Sequence, residues 1–231
     1  MKSSSCIYLV PHSAVFNVHE VPEFDTFGKD NSSNLYSALI LNHKENFIPL
    51  EKNYQIIYGF DEADKDFIPS DFNDATRLFF CNTKDRKSAF KLLADKYFNS
   101  FSNNILVFAS SIGFAGNEIE KTFNLLSMDD EALVIGKCIN NEIAFIGFNT
   151  FNGEVFNAVK CIDNNFDDFL AVANKQENFI HTMGNFLFIK EIEDFKKLYA
   201  ELSKKESWSY CNQNMHEQFT HLFIEYKDLL K

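Results

Sequence analysis

Arginine is almost absent from this chain of 231 residues: Arg77 and Arg86 are the only two. Bidentate recognition of phosphate therefore has few suppliers, although lysine can still meet phosphate as a point charge. Positive charge is scarce altogether, with 22 Lys and Arg against 33 Asp and Glu and a formal net charge of -11. A surface of that sign repels nucleic acid and anionic membrane, and neither is expected as a partner. Proline and glycine are few, 4 and 8, and no Pro/Gly linker, repeat or low-complexity tract divides the chain. The five cysteines, Cys6, Cys81, Cys138, Cys161 and Cys211, are far apart and never form C-x-x-C, which disfavours a disulfide framework or a zinc site. No run approaches the roughly 20 apolar residues of a membrane span. The opening apolar run of about five residues is shorter than a signal peptide needs. A cytoplasmic protein is the expectation.

What is abundant is phenylalanine, 27 residues in a chain that is 45% apolar, so a full-sized core filled by rings is expected. Short apolar runs alternate with helical periodicity, the pattern of an α/β layer structure. Strands are expected at Cys6 to Val10, Tyr54 to Phe60, within Asn104 to Ala109, and at Asn185 to Ile189. Asn140-Asn141, between two apolar runs from Glu131 to Asn149, suits the left-handed conformations of a tight hairpin. Helices are expected around Leu35 to His43, and where Phe90, Leu93, Ala94 and Tyr97 form one stripe. A third has Asn117 as its cap and Ile119, Phe123 and Leu126 on its buried face. Another carries Ile192, Phe195, Leu198, Tyr199 and Leu202 on one side, and a last one Met215, Phe219, Leu222, Phe223, Tyr226 and Leu230. That last apolar face must be covered by the domain or by a second copy. Residues 29 to 34, KDNSSN, read as a polar loop, and Asp167 as a helix cap.

Chemistry is harder to find. His216 and His221 are five apart, which turns their imidazoles roughly 140° apart on a helix and prevents chelation of one ion. GFAGNE, Gly113 to Glu118, lacks the ending of a P-loop and the third glycine of a dinucleotide fingerprint, and reads as a tight strand-to-helix turn. Ser110 and Ser111 could be nucleophiles, but they have no nucleophile-elbow motif; a base would have to come from a remote residue such as His12 or His181. The acidic runs Asp61 to Asp66, Met128 to Glu131 and Asp163 to Asp168 lie in expected connections, where solvated carboxylates are ordinary.

Taken in order, NILVFASSIGFAGNEIEKTFNLL, ALVIGKCINNEIAFIGF, LYSALILNH and FIKEIEDFKKLYAEL resemble a small bacterial glycosyltransferase-like family with the GT-A, or nucleotide-diphospho-sugar transferase, fold. Members carry a G-[ST]-D-[SC]-P-x-[LI] loop after a strand, an E-D-G-G-Y hairpin, an L-Y-x-A-F-L-x-D helix and a late D-V-D-T-P-E-D-L-x-x-L segment. The resemblance spans roughly Cys6 to Lys204. It implies a three-layer, Rossmann-like α/β fold, with a mixed, mainly parallel sheet flanked by helices. Residues 1 to 205 would be one domain, and 206 to 231 an added helical extension packed on the domain or on a partner.

It also implies which groups are missing. Ser110 stands at the family's metal-binding aspartate, with Phe108 at the glycine and Ile112 at the proline. The hairpin reads Ile139, Asn140, Asn141, Glu142, Ile143, and no Lys or Arg lies between Lys2 and Lys29, where the family has a basic phosphate-binding loop. A hydroxyl is a poor ligand for a hard cation. The expectation is a degenerate transferase that serves as a ligand-binding or interaction module, with no catalytic residue, metal or cofactor. A nucleotide or sugar would meet Ser110, Ser111, Asn140, Asn141 and Glu142. Two alternatives stay open: an active glycosyl- or nucleotidyltransferase using Mg or Mn on ligands such as Asp61, Asp64 or Asp66, and a homodimeric subunit joined through the last helix.

Overall fold

A computed structural model describes residues 3–72, 77–157, 159, 165–176 and 178–230. Cys161 and Asp163 lie outside the described residues, as does the side chain of Arg86. Buried apolar runs form the middle of an eight-stranded mixed sheet. The strands are β1 (Ser3–Val10), β2 (Gln55–Asp61), β3 (Leu78–Cys81), β4 (Phe101–Phe108), β5 (Ser111–Ile112), β6 (Ala132–Cys138), β7 (Ile143–Phe148) and β8 (Phe179–Phe188). Their order across the sheet is β3-β2-β1-β4-β7-β6-β8-β5. The first four are mutually parallel, β7 runs antiparallel to β4 and β6, and β8 is parallel to β6.

Among the described residues, seven helices flank the sheet: α1 (Lys29–Phe47), α2 (Arg86–Lys96), α3 (Gly116–Leu126), α4 (Gly153–Asn157), α5 (Phe166–Ala173), α6 (Ile192–Leu202) and α7 (Gln213–Glu225). The architecture is the expected α/β, GT-A-like one. Rings fill the core as the composition requires: Phe98, Phe148 and Phe156 meet edge-on near one end of β4, and Phe114, Phe145 and Phe186 pack together beneath β5. On α3, Ile119, Thr122, Phe123 and Leu126 are buried as the stripe predicts.

Three local expectations are corrected. Residues 29 to 34 are not a loop but the first turns of α1; Ser32 and Ser33 are buried there because Ser32 Oγ donates to the Gly28 carbonyl and Ser33 Oγ to that of Val15. Asn117 lies inside α3, whose cap is Ala115, its amide donating to Glu118. Asn165, not Asp167, caps α5, its side chain accepting from the Asp168 amide. The hairpin is where Asn140-Asn141 places it, with Asn141 at φ 62°. The last helix, α7, lies on α1, where Tyr226 stacks on Phe27 with ring centroids 3.7 Å apart.

Candidate functional site

The winding of the sheet reverses at β1. The chain proceeds from β1 outward to β2 and β3, then returns to place β4 on the other side of β1. The carboxyl ends of β1 and β4 therefore diverge into connections on opposite sides, and the crevice between them is where open α/β sheets hold ligands. Val10 is opposite Phe108 in the register, so the residues just beyond, Pro11-His12 and Ala109-Ser110, leave the sheet side by side at this end. The Ala109 amide donates to the Val10 carbonyl at 3.0 Å and extends the pairing.

Across it, Ser110 Oγ and His12 Nδ1 are 2.6 Å apart. Ser110 is only 3% exposed. With the proton on Oγ, Nδ1 would be the accepting nitrogen of the imidazole; in the other tautomer Nδ1 would donate to Oγ. The imidazole is steadied edge-on by the Tyr36 ring at 4.8 Å, and burial pushes the Tyr36 hydroxyl up to about 12.

Beside His12 opens a cavity of about 340 Å³. Ser13, Ala14 and Pro22 form one wall, and Asp61, Thr83 and Lys84, from the ends of β2 and β3, form the other. Asp61 is held in place: its carboxylate accepts from Thr83 Oγ1 at 2.6 Å and from the Thr83 and Ala63 amides at 2.9 Å each. Lys84 faces Glu20 at 3.9 Å across the mouth, both well exposed, so this pair contributes little fixed charge.

The loop after β1 is closed from within. Amides of Val15, Phe16 and Asn17 all donate to the Asp64 carboxylate, at 2.8 to 3.1 Å. Three convergent main-chain donors are an anion receptor, and here the anion belongs to the chain. Asp64 is fully buried, which corrects its reading as one of a solvated acidic run. Burial outweighs the three donors and holds its carboxyl above the usual range.

The five residues singled out from the sequence occupy two groups joined by the end of β8. The Ser110 carbonyl accepts from the Ile189 amide at 2.8 Å, and Asn140 Nδ2 donates to the Phe188 carbonyl at 2.8 Å. Glu142 Oε1 meets Lys190 Nζ at 3.2 Å. Asn141 turns outward to Asp167 at 3.0 Å. Ser111 turns inward: it is 1% exposed, and its hydroxyl donates to the Phe108 carbonyl at 2.7 Å. Its own carbonyl accepts from His43 Nε2, 2.8 Å away on α1. His43 is fully buried, its Nδ1 has no partner, and burial lowers its pKa to about 4.

A divalent cation does not fit these side chains. Ser110 is engaged with imidazole, Glu142 with an ammonium group, Asp64 with main-chain amides and Asp61 with Thr83. Asp66 is exposed. Among the described residues, no three His, Cys, Asp or Glu side chains converge as a metal site would require. The groups that sequence reasoning passes over are Thr83 and Lys84; His12 enters it only as a remote base, and Asp64 only as a solvated acid or an alternative metal ligand.

No protein-family model matches this chain, and no curated protein does. Solved structures are similar in fold. A protein assigned as a nucleotide-diphospho-sugar transferase from Desulfovibrio desulfuricans G20 superposes with a TM-score of 0.69 at 15% identity, covering 98% of this chain and 99% of that one. The 4-diphosphocytidyl-2C-methyl-D-erythritol synthase from Anaerococcus prevotii DSM 20548 has a TM-score of 0.53 at 11% identity, covering 87% of this chain and all of that one, 100%. At these identities the likeness is one of fold.

Proposed function

We propose that this chain is a GT-A-fold protein that has given up metal-dependent nucleotidyl or sugar transfer and binds an uncharged nucleoside-like or sugar-like ligand in the cavity beside His12. The observation that carries this reading is Asp64: the amides of Val15, Phe16 and Asn17, which could otherwise receive a phosphate, already hold a buried carboxylate. A second anion brought there would meet that charge in a medium of low dielectric. The neighbouring folds include named transferases, so the cavity's location suits a fragment of their substrates better than the charged whole. In this reading residues 1–205 form the binding domain of a cytoplasmic protein, and 206–231 an extension docked on α1. Exposed Tyr199 and Ile224, around a hollow of about 450 Å³ on α6 and α7, would be the contact if the protein pairs with a second copy.

Calorimetric and thermal-shift titrations with nucleosides, free sugars, nucleotides and nucleotide-sugars, each with and without Mg²⁺ or Mn²⁺, test the proposal. Stabilisation by an uncharged ligand, indifferent to metal, is expected. Tight metal-dependent binding of a nucleotide-sugar, or turnover of one, would defeat it.

A further inference from the structure

We infer that Ser110 and His12 form a nucleophile-base pair able to hydrolyse small carboxylic esters, an activity that needs neither nucleotide nor metal and does not rest on the ligand proposed above. A serine hydroxyl is a weak nucleophile until a positioned base removes its proton, and the requirement is hydrogen-bond reach with the base nitrogen unprotonated. The first condition holds: Oγ and Nδ1 are 2.6 Å apart, and Ser110 is 3% exposed. The second is met in the imidazole tautomer that carries its proton on Nε2, which makes Nδ1 the acceptor. The two residues project from the ends of adjacent parallel strands, so a rigid sheet sets their separation.

His12 lines the 340 Å³ cavity, as do Ser13 and Ala14, next in the chain. Small apolar surfaces from Ala14 and Pro22 suit a short acyl group. In the step proposed, Oγ bonds to the ester carbonyl carbon as its proton passes to Nδ1. The carbon-oxygen bond to the alcohol then breaks, and His12 gives that proton to the departing oxygen. Water completes the cycle: His12 takes a proton from it, its oxygen bonds to the acyl carbon, and the proton returns to Ser110 Oγ as the carboxylic acid leaves.

The experiment uses the full chain, an alkyl fluorophosphonate as the trapping probe and p-nitrophenyl acetate as substrate. Expected are one covalent adduct per chain, mapped to Ser110, and ester hydrolysis that falls on acidification, as protonation of a base requires. Ser110→Ala should abolish the adduct. His12→Gln should lower hydrolysis by about 100-fold or more and flatten the pH profile, because a positioned base contributes factors of that size. His12→Asn serves as a second variant, and thermal melting of each confirms that the fold is retained. The inference is overturned if the folded wild-type chain leaves Ser110 unmodified, if Ser13 takes the adduct instead, or if Ser110→Ala hydrolyses the ester as fast as the wild type.

Discussion

Acidification tests the support beneath the crevice through one residue, His43. Its Nε2-H donates to the Ser111 carbonyl, while Nδ1 is buried without a partner. Protonation would therefore create a charged, unpaired donor in the interior, which is why burial takes the pKa from 6.5 to about 4. A base whose folded pKa is depressed contributes its full stability above the unfolded value and loses it as pH falls toward the folded one. The difference of roughly 2.5 pH units corresponds to ~3 kcal/mol in total, of which ~2 kcal/mol is gone by about pH 5. His43 is fully buried, so solvent screening gives no reason to discount this. Urea unfolding of the wild type and of His43→Gln, at about pH 7 and pH 5, isolates the contribution, since carboxylate titrations are common to both. The variant should be less stable at neutral pH, because it loses packing, yet fall by ~2 kcal/mol less on acidification. Equal falls in the two proteins, at unchanged m-values, would refute the account of a buried neutral imidazole.

Asp64→Ala should cost ~3–5 kcal/mol in urea unfolding, because three main-chain amides would lose a charged acceptor that water cannot replace; a loss under ~1 kcal/mol would mean that the loop after β1 is held by other contacts. Asp64→Asn, which retains one carbonyl oxygen, should cost less. Gly136→Ala would bring a methyl group within 2.3 Å of the Phe145 ring, in a core where neither can easily yield, and should lower stability by ~1–3 kcal/mol or more. Gly184→Ala, with nothing within 4 Å, is the control and should melt within a degree or two of wild type. Removal of residues after Lys205 should uncover the α1 face that Phe219 and Tyr226 pack against, and should be read by sizing and melting; a stable, unchanged monomer would show that α7 is dispensable to the domain.

Elements with strong local periodicity are legible in the amino-acid order itself. The apolar run of β4, the stripe of α3 and the Asn140-Asn141 hairpin each depend on side chains within a few residues of one another. The beginning of α1 is not legible in this way, because composition reads Ser32 and Ser33 as solvent-facing, whereas their hydroxyls bond to main-chain carbonyls four and eighteen residues away in the chain. The buried role of Asp64 escapes notice for a similar reason. In DEADKD it looks like one solvated acid among several, and its partners lie 47 to 49 residues earlier. No local pattern distinguishes the acid that turns inward.

The Ser110-His12 pair spans 98 residues of chain, yet it follows from little more than the strand order. Once β1 and β4 are parallel neighbours with Val10 opposite Phe108, His12 and Ser110 are each the second residue past the paired end, on chains that have only begun to diverge. The resemblance to the GT-A family implies a carboxylate at the position of Ser110, and so would frame the position as a loss. The register frames it differently. A hydroxyl placed there meets the imidazole that the first strand delivers, whereas an aspartate at the same point would form an ion pair with it. Under the proposed reading the crevice would transfer a proton where the family would hold a cation, and His12 is the residue by which those two descriptions can be told apart.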